Sequence, residues 1–210
     1  HYSGACEALK AFAEAHSVPV AETQAGKSAL PWDHPLNFGS IGVTGSSAAN
    51  AVAEEADLVI GVGTRFQDFT TGSWTVFSAP GRKLLSINIH GYDAGKRGAQ
   101  PLVSDAKVAL ERISAALGSY RFADPDFKAR EDWFRTTDAL FAAPKGNELP
   151  TDAQVIGAVD RNAGKQSVIM CAAGTMPGAL HVLWRAAQGG YHMEYGFSCM
   201  GYEIAGAMGI

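Results

Sequence analysis

Three stretches of this chain combine residue types and spacings that suit chemistry. Gly61-Val62-Gly63-Thr64-Arg65 follows an apolar run. Its glycines let the main chain approach an anion, and Arg65 could pair with a phosphate or carboxylate. The second, Ala172-Ala173-Gly174-Thr175-Met176-Pro177-Gly178, also closes an apolar run. The amides of Gly174, Thr175 and Met176 would stand near the N-terminus of the next helix, where oriented N–H groups and the helix dipole can hold a diphosphate. In the third, Glu194 to Glu203, small residues alternate with Tyr195, Phe197, Met200 and Tyr202 ahead of an apolar helix. Such a backbone-rich wall suits an aromatic heterocycle, with Met200 as a soft packing surface.

Each stretch has a plainer alternative. A lone Gly-x-Gly without a helix directly behind it reads as a structural turn, because the full G-x-G-x-x-G fingerprint is missing. The Gly174 segment is equally an ordinary strand-to-helix turn. Cys199 lacks a base nearby in sequence, which favours packing over nucleophilic attack. His34, His90, His181 and His192 show no metal-ligand spacing, and Asp33-His34 sits in a Pro-flanked loop that suits a turn hydrogen bond. Asp68, Asp93 and Glu203 have the chemistry for acid–base work but no partner in the sequence. Cys6, Cys171 and Cys199 are odd in number and far apart, so neither a zinc site nor a disulfide framework is expected. They read as buried free thiols of a reducing cytoplasm.

The elements that must position these stretches follow from composition and periodicity. Of 210 residues, 47% are hydrophobic and 18% charged, enough apolar side chains for a core. The net charge of −4 argues against a non-specific nucleic-acid or anionic-membrane surface. No apolar run approaches the roughly 18 residues of a spanning helix. Residues 5–16 carry Ala5, Leu9, Phe12 and Ala13 at helical spacing, and Val18 to Ala21 reads as a short strand. A polar, Gly-rich passage over 24–45 reads as a long loop. Ser46 or Ser47 can cap a helix over 48–56. Near-continuous apolar runs at 57–63 and 83–89, and a shorter one at 102–103, fit parallel strands. The last feeds a helix capped by Ser104 or Asp105, with Val108, Leu110, Ile113 and Leu117 as its stripe. After a helix opening at Asp124-Pro125, the pattern restarts with Thr151 capping a helix and a strand over 167–171.

Strands alternating with helices predict an α/β fold: a doubly wound parallel sheet, then the start of a second α/β unit. The boundaries are 1–143 for the first unit, 144–150 for a linker and 151–210 for the second, truncated unit. His1 stands directly before a helix, and the apolar helix over 201–210 stops without a cap, so the chain is expected to be an internal piece of a longer protein.

GVTGSSAAN (42–50), ADLVIGVGTRFQDFTTGSW (56–74) and EYGFSCMGYEIAGAMGI (194–210) resemble the thiamine-diphosphate-dependent enzymes of the acetolactate-synthase type. HYSGA, ETQAGKSALPWDHP and EYGFSCMGYEIAG look like that family's hydrolases of a trihydroxycyclohexane-dione in inositol breakdown. The resemblance implies that 1–143 is a central Rossmann-like domain lacking its first strand and that 151–210 opens the diphosphate-binding domain. It implies that Gly174, Thr175 and Met176 touch the diphosphate of thiamine diphosphate. It also implies that Ser198, Cys199 and Met200 meet the aminopyrimidine. The activating glutamate is expected upstream and the Mg2+ ligands downstream, so no catalytic or metal residue of that family is expected within 1–210. The implied reaction is C–C hydrolysis of a cyclic diketone by a cytoplasmic homo-oligomer, with the isolated piece inactive. An acetolactate-synthase-like carboligase, a non-catalytic nucleotide-binding module using Gly61 to Arg65, and a thiol enzyme using Cys199 are the alternatives.

Overall fold

The computed structural model describes residues 1–194, 196–197 and 199–210. The chain runs α1 (Cys6–His16), β1 (Val20–Glu22), β2 (Asn37–Ser40), α2 (Ser47–Glu55), β3 (Leu58–Val62) and α3 (Asp68–Thr71). Next come β4 (Lys83–Asn88), α4 (Gly91–Ala94), β5 (Gln100–Val103), α5 (Ala106–Leu117) and α6 (Phe127–Leu140). The last elements are α7 (Asp152–Asn162), β6 (Ile169–Cys171), α8 (Thr175–Leu183), β7 (Tyr191–Met193) and α9 (Tyr202–Ala207).

All strand pairing among the described residues is parallel, as an α/β fold requires. The strands form three sheets: β1 with β2, β3-β4-β5 in sequential order, and β6 with β7. The pairing of β1 with β2 is irregular, shifting register between Val20 and Glu22. The run at 57–63 forms β3 as expected, but only its Gly61 is fully buried. Its one strand partner among the described residues is β4, which leaves the other edge unpaired.

Helix starts follow the capping chemistry of the sequence. Ser46 Oγ accepts from Ala49 N at 3.0 Å and donates to Phe38 O at 2.7 Å, tying α2 to β2. Asp105 rather than Ser104 caps α5. Thr151 caps α7 through a reciprocal capping box with Gln154. The α5 stripe keeps Leu110, which is buried, and Ile113 and Leu117, which are half-buried, but Val108 is exposed and Ala109 is buried in its stead. His16 locks α1 to this helix, with Nδ1 2.7 Å from Tyr120 O and Nε2 2.8 Å from Ser114 Oγ.

The long passage over 24–45 holds β2, which no apolar pattern announces. Its order comes from side chains bonding main chain. Asn37 donates to Leu30 O and Pro31 O and accepts from Gly39 N, while the Arg130 guanidinium donates to the carbonyls of Asn37 and His34.

Two apolar clusters stand out in the core of the described residues. One gathers Phe38, Ile41, Ala48, Ala49, Ala53 and Val76, and the other Phe141, Ile156, Cys171, Leu180, Leu183, Trp184, Tyr191 and Met193. Trp133 of α6 packs against both. Each large aliphatic or aromatic side chain buried this way contributes about 1.5–3 kcal/mol. Residues 144–150 are exposed and without regular structure.

Replacing Ser46 with alanine removes a cap and leaves Phe38 O without its hydroxyl donor. Urea denaturation of Ser46→Ala is expected to show a stability loss of about 1–2 kcal/mol, with a lower midpoint and an unchanged slope.

Candidate functional site

The second and third sequence stretches meet because β6 and β7 are parallel and in register, Cys171 opposite Met193. Both strands therefore release their chains at one carboxyl edge, where open α/β sheets bind ligands. Glu194 N donates to Cys171 O at 3.2 Å, which holds the two exits together. From β6 the chain passes through Ala172 and Ala173 to Gly174, whose φ of +127° and ψ of −174° demand glycine. Gly174 precedes α8, and no side chain caps that helix. Pro177 supplies no N–H, so the amides of Thr175 and Met176 carry the exposed positive end of the helix dipole.

This edge opens on a cleft of about 580 Å3. Gly174, Thr175, Gly178 and Met193 line it on the β6–β7 side, and Gln24, Val43, Thr44, Gly45 and Phe69 come from the earlier part of the chain. A hollow of about 610 Å3 between 143–150 and α7 is slightly larger but is lined mainly by Ala, Val and Pro and contains neither corner.

The turn at 42–45 is held by close main-chain approach. Asn50 brackets Gly42, accepting from its N at 2.9 Å and donating to its O at 3.0 Å. A Cβ at Gly42 would lie 2.0 Å from Phe69 O, and φ there is +100°. Only glycine fits that contact.

A chain of polar contacts crosses beneath the cleft. His181 of α8 is fully buried, with Nε2 3.3 Å from Glu22 O and Nδ1 2.8 Å from Thr44 Oγ1. Burial and the nearby Lys27 charge push its pKa down to about 3, so the ring is neutral. Because a carbonyl only accepts, Nε2 bears the proton and Nδ1 accepts from the Thr44 hydroxyl. Thr44 Oγ1 in turn accepts from Gln24 Nε2 at 2.9 Å. Ser40 Oγ donates to His181 O, a further tie between β2 and α8. Lys27 and Glu22 are buried nearby. Desolvation lowers the Lys27 pKa and raises that of Glu22, while their opposite charges oppose both shifts.

The third stretch is organised by its own carboxylate. Glu194 accepts from Phe197 N and Cys199 N, each at 3.1 Å, and these bonds lower its pKa. Beyond them, Glu203 accepts from Gly201 N at 2.8 Å, and the His192 ring stacks on Tyr202 with Nε2 2.8 Å from its hydroxyl.

The expected site residues are thus placed as follows. Gly174 and Thr175 line the cleft; Met176 is half-buried, its side chain packed against the second core cluster. Cys199 and Met200 lie on the neighbouring corner and are exposed, Met200 by 80%. Ser198 lies outside the described residues. Among the described residues no three His, Cys, Asp or Glu side chains gather to hold a metal ion. Gly61 is accounted for by packing, since a Cβ there would lie 2.4 Å from the Phe66 ring, and Arg65 is exposed. His34 bonds Glu14 and Leu36 N rather than Asp33.

The three thiols are not all buried as expected: Cys171 is, Cys6 is partly covered and Cys199 is exposed. Cys171 Sγ donates to Tyr191 OH at 3.2 Å, and burial raises its pKa. Sequence reasoning missed Gln24, Thr44 and His181 as lining and support. The contacts joining Thr44 to His181 span 137 residues, and no local spacing signals them.

Two outcomes follow from these environments. Unfolding frees His181 to take a proton that the folded state refuses, so stability is fully present above its unfolded pKa of about 6.5 and falls as pH drops toward 3. Denaturant unfolding is expected to lose about 1.4 kcal/mol per pH unit from this group over that range. His181→Gln should remove that increment. In native protein, iodoacetamide should modify Cys199 rapidly and Cys171 only after unfolding, as peptide mass spectrometry would show.

Residues 1–113 match the family model described as "Thiamine pyrophosphate enzyme, central domain". Over its whole length the chain is 43% identical to the 3D-(3,5/4)-trihydroxycyclohexane-1,2-dione hydrolase of Geobacillus thermodenitrificans, of which it covers 36%. It is 39% identical, again over its whole length, to the protein of that name from Clostridium tetani, covering 37% of it. Over 99% of its length it is 42% identical to 3D-(3,5/4)-trihydroxycyclohexane-1,2-dione hydrolase 2 of Bacillus cereus, covering 37%. The chain therefore spans about a third of the length of these relatives. With its parallel α/β architecture and the family match across more than half its residues, the chain belongs to the thiamine pyrophosphate enzymes.

Proposed function

We propose that the chain is part of a thiamine-diphosphate- and Mg2+-dependent hydrolase that opens the ring of a trihydroxycyclohexane-dione by C–C cleavage. Residues 1–143 serve as the central domain, 144–150 as a linker, and 151–210 as the first part of the diphosphate-binding domain. The observation that carries this reading is the shared carboxyl edge of β6 and β7, which brings the Gly174 turn and the corner after Met193 to one side. The uncapped start of α8 fits an anion: its amides and dipole suit a diphosphate, and its first turn carries no acidic residue.

In this reading the Gly174, Thr175 and Met176 main chain holds the diphosphate, and Ser198, Cys199 and Met200 bound the aminopyrimidine. The cofactor supplies a nucleophilic carbon and an electron sink for cleavage next to a carbonyl. The protein's own contribution is placement. Gly174 shapes the turn, Glu194 gathers the amides of Phe197 and Cys199 into a fixed corner, and Val43, Phe69 and Met193 add apolar surface to the cleft wall. The glutamate that activates the aminopyrimidine and the Mg2+ ligands belong to other parts of the whole protein. That protein works as a cytoplasmic homo-oligomer on a small cyclic diketone, with no nucleic-acid or membrane partner.

The test uses the complete protein. Ring opening of the trihydroxycyclohexane-dione should require both thiamine diphosphate and Mg2+. Gly174→Ala should raise the half-saturating thiamine diphosphate concentration about tenfold or more, since alanine cannot hold that backbone conformation without strain. Turnover without the cofactor, or carboligation of 2-oxoacids in place of ring opening, would overturn the proposal.

A further inference from the structure

Five buried side-chain polar atoms of the described residues have no hydrogen-bond partner: Gln24 Oε1, Trp74 Nε1, Ser86 Oγ, Trp184 Nε1 and Arg185 Nε. Of these residues only Gln24 belongs to the wall of the cleft that Gly174 and Thr175 also line. Gln24 is 4% exposed. A covered amide oxygen without a donor is unfavourable unless something else supplies one.

The partners orient the amide. Glu22 O can only accept, so neutral His181 donates through Nε2 and accepts through Nδ1. The Thr44 hydroxyl must then donate to His181, and its oxygen accepts from the Gln24 NH2. A flipped Gln24 would set its oxygen against a hydroxyl whose proton is already committed. The polar chain therefore ends with a carbonyl oxygen, oriented by three partners and left unpaired.

This end of the chain selects its guest. An ionised diphosphate has no proton to give, so Gln24 Oε1 is not a phosphate contact. A neutral hydroxyl or amino group is what satisfies it. The named substrate of the relatives is a ring with three hydroxyl groups, and Gln24 lines the same cleft as the Gly174 turn. We propose that Gln24 is a specificity-determining residue: Oε1 accepts a hydrogen bond from one ring hydroxyl of the cyclic diketone, with Thr44 and His181 as positioning residues that hold the amide. This assignment rests on the function proposed above. The cofactor's amino group shares the donor chemistry, and the arms of the experiment separate the two.

The experiment uses the complete protein with thiamine diphosphate and Mg2+. It measures kcat and KM for the trihydroxylated dione and for each of its single-deoxy analogues, in wild type and in Gln24→Met. One analogue should lose about ten- to a hundredfold in kcat/KM with wild type. Gln24→Met should impose a similar loss on the full substrate, yet match wild type within about threefold on that one analogue, because neither then has the bond to lose. Half-saturating thiamine diphosphate should stay unchanged. Gln24→Asn, which keeps the amide but withdraws it by one methylene, should reproduce the pattern and serves if Gln24→Met folds poorly. A uniform loss across all analogues, or no loss at all, would overturn the assignment. A selective rise in half-saturating cofactor would give the bond to the aminopyrimidine amino group instead. A wild-type protein inert toward every dione would overturn the function itself and this assignment with it, whereas an active wild type with unselective variants overturns this assignment alone.

Discussion

The cleft depends on a neutral imidazole buried between two distant parts of the chain. His181 stands on α8, and its two ring nitrogens meet Glu22 and Thr44 of the segment around β1 and β2. A polar ring with no access to water is tolerable only when both nitrogens are satisfied, and here each meets a partner. The contact therefore fixes more than its own energy. It sets which way Thr44 and Gln24 face, and it holds the 42–45 turn against the start of α8 so that a cleft exists between them. Ser40 and the packing of 28–36 against 186–189 reinforce the same docking, through Trp32 N to Ala186 O at 3.0 Å and Gly189 N to Ser28 O at 3.0 Å.

Much of the fold was legible because its signals are local. Apolar runs at 57–63, 83–89 and 102–103 fall in β3, β4 and β5 because β-branched and other apolar residues favour strands, although of β3 only Gly61 is fully buried and β5 is largely exposed. Ser46, Asp105 and Thr151 stand at helix starts because a short oxygen-bearing side chain can reach a free amide of the first turn. What escaped is the structure held by distant partners. Asn37-Phe38-Gly39-Ser40 has little intrinsic strand preference, and β2 exists because the Asn37 amide and Arg130 satisfy the surrounding main chain. Tyr191-His192-Met193 is too short for any alternation to show. Of the expected α5 stripe, Leu110 is buried and Ile113 and Leu117 are half-buried, and only Val108 faces out, its place taken by Ala109, a detail that periodicity alone does not resolve.

The same division runs through the candidate site. The Gly174 turn could be found because glycine between a strand and a helix is itself the signal, and its φ explains why. The corner after Met193 was found by residue type, but its proximity to Gly174 depends on β7 pairing with β6, which the sequence does not announce. Gln24 and His181 were legible only as residue names. Their meaning arises from one buried contact path that crosses the whole fold.

Phe141 carries a mechanical consequence. It ends the segment before the exposed stretch 144–150, yet its ring is only 4% exposed, seated among Ile156, Leu180 and Trp184, with Arg185 stacked over it at 5.1 Å. Gly157 of α7 leaves the space: a methyl there would stand 2.5 Å from the ring. A polar, unstructured connector would ordinarily serve as a pivot. With this ring seated against α7 and α8, swinging α6 about 144–150 would pull an aromatic out of a fitted socket, so the stretch acts as slack beside a bolted joint.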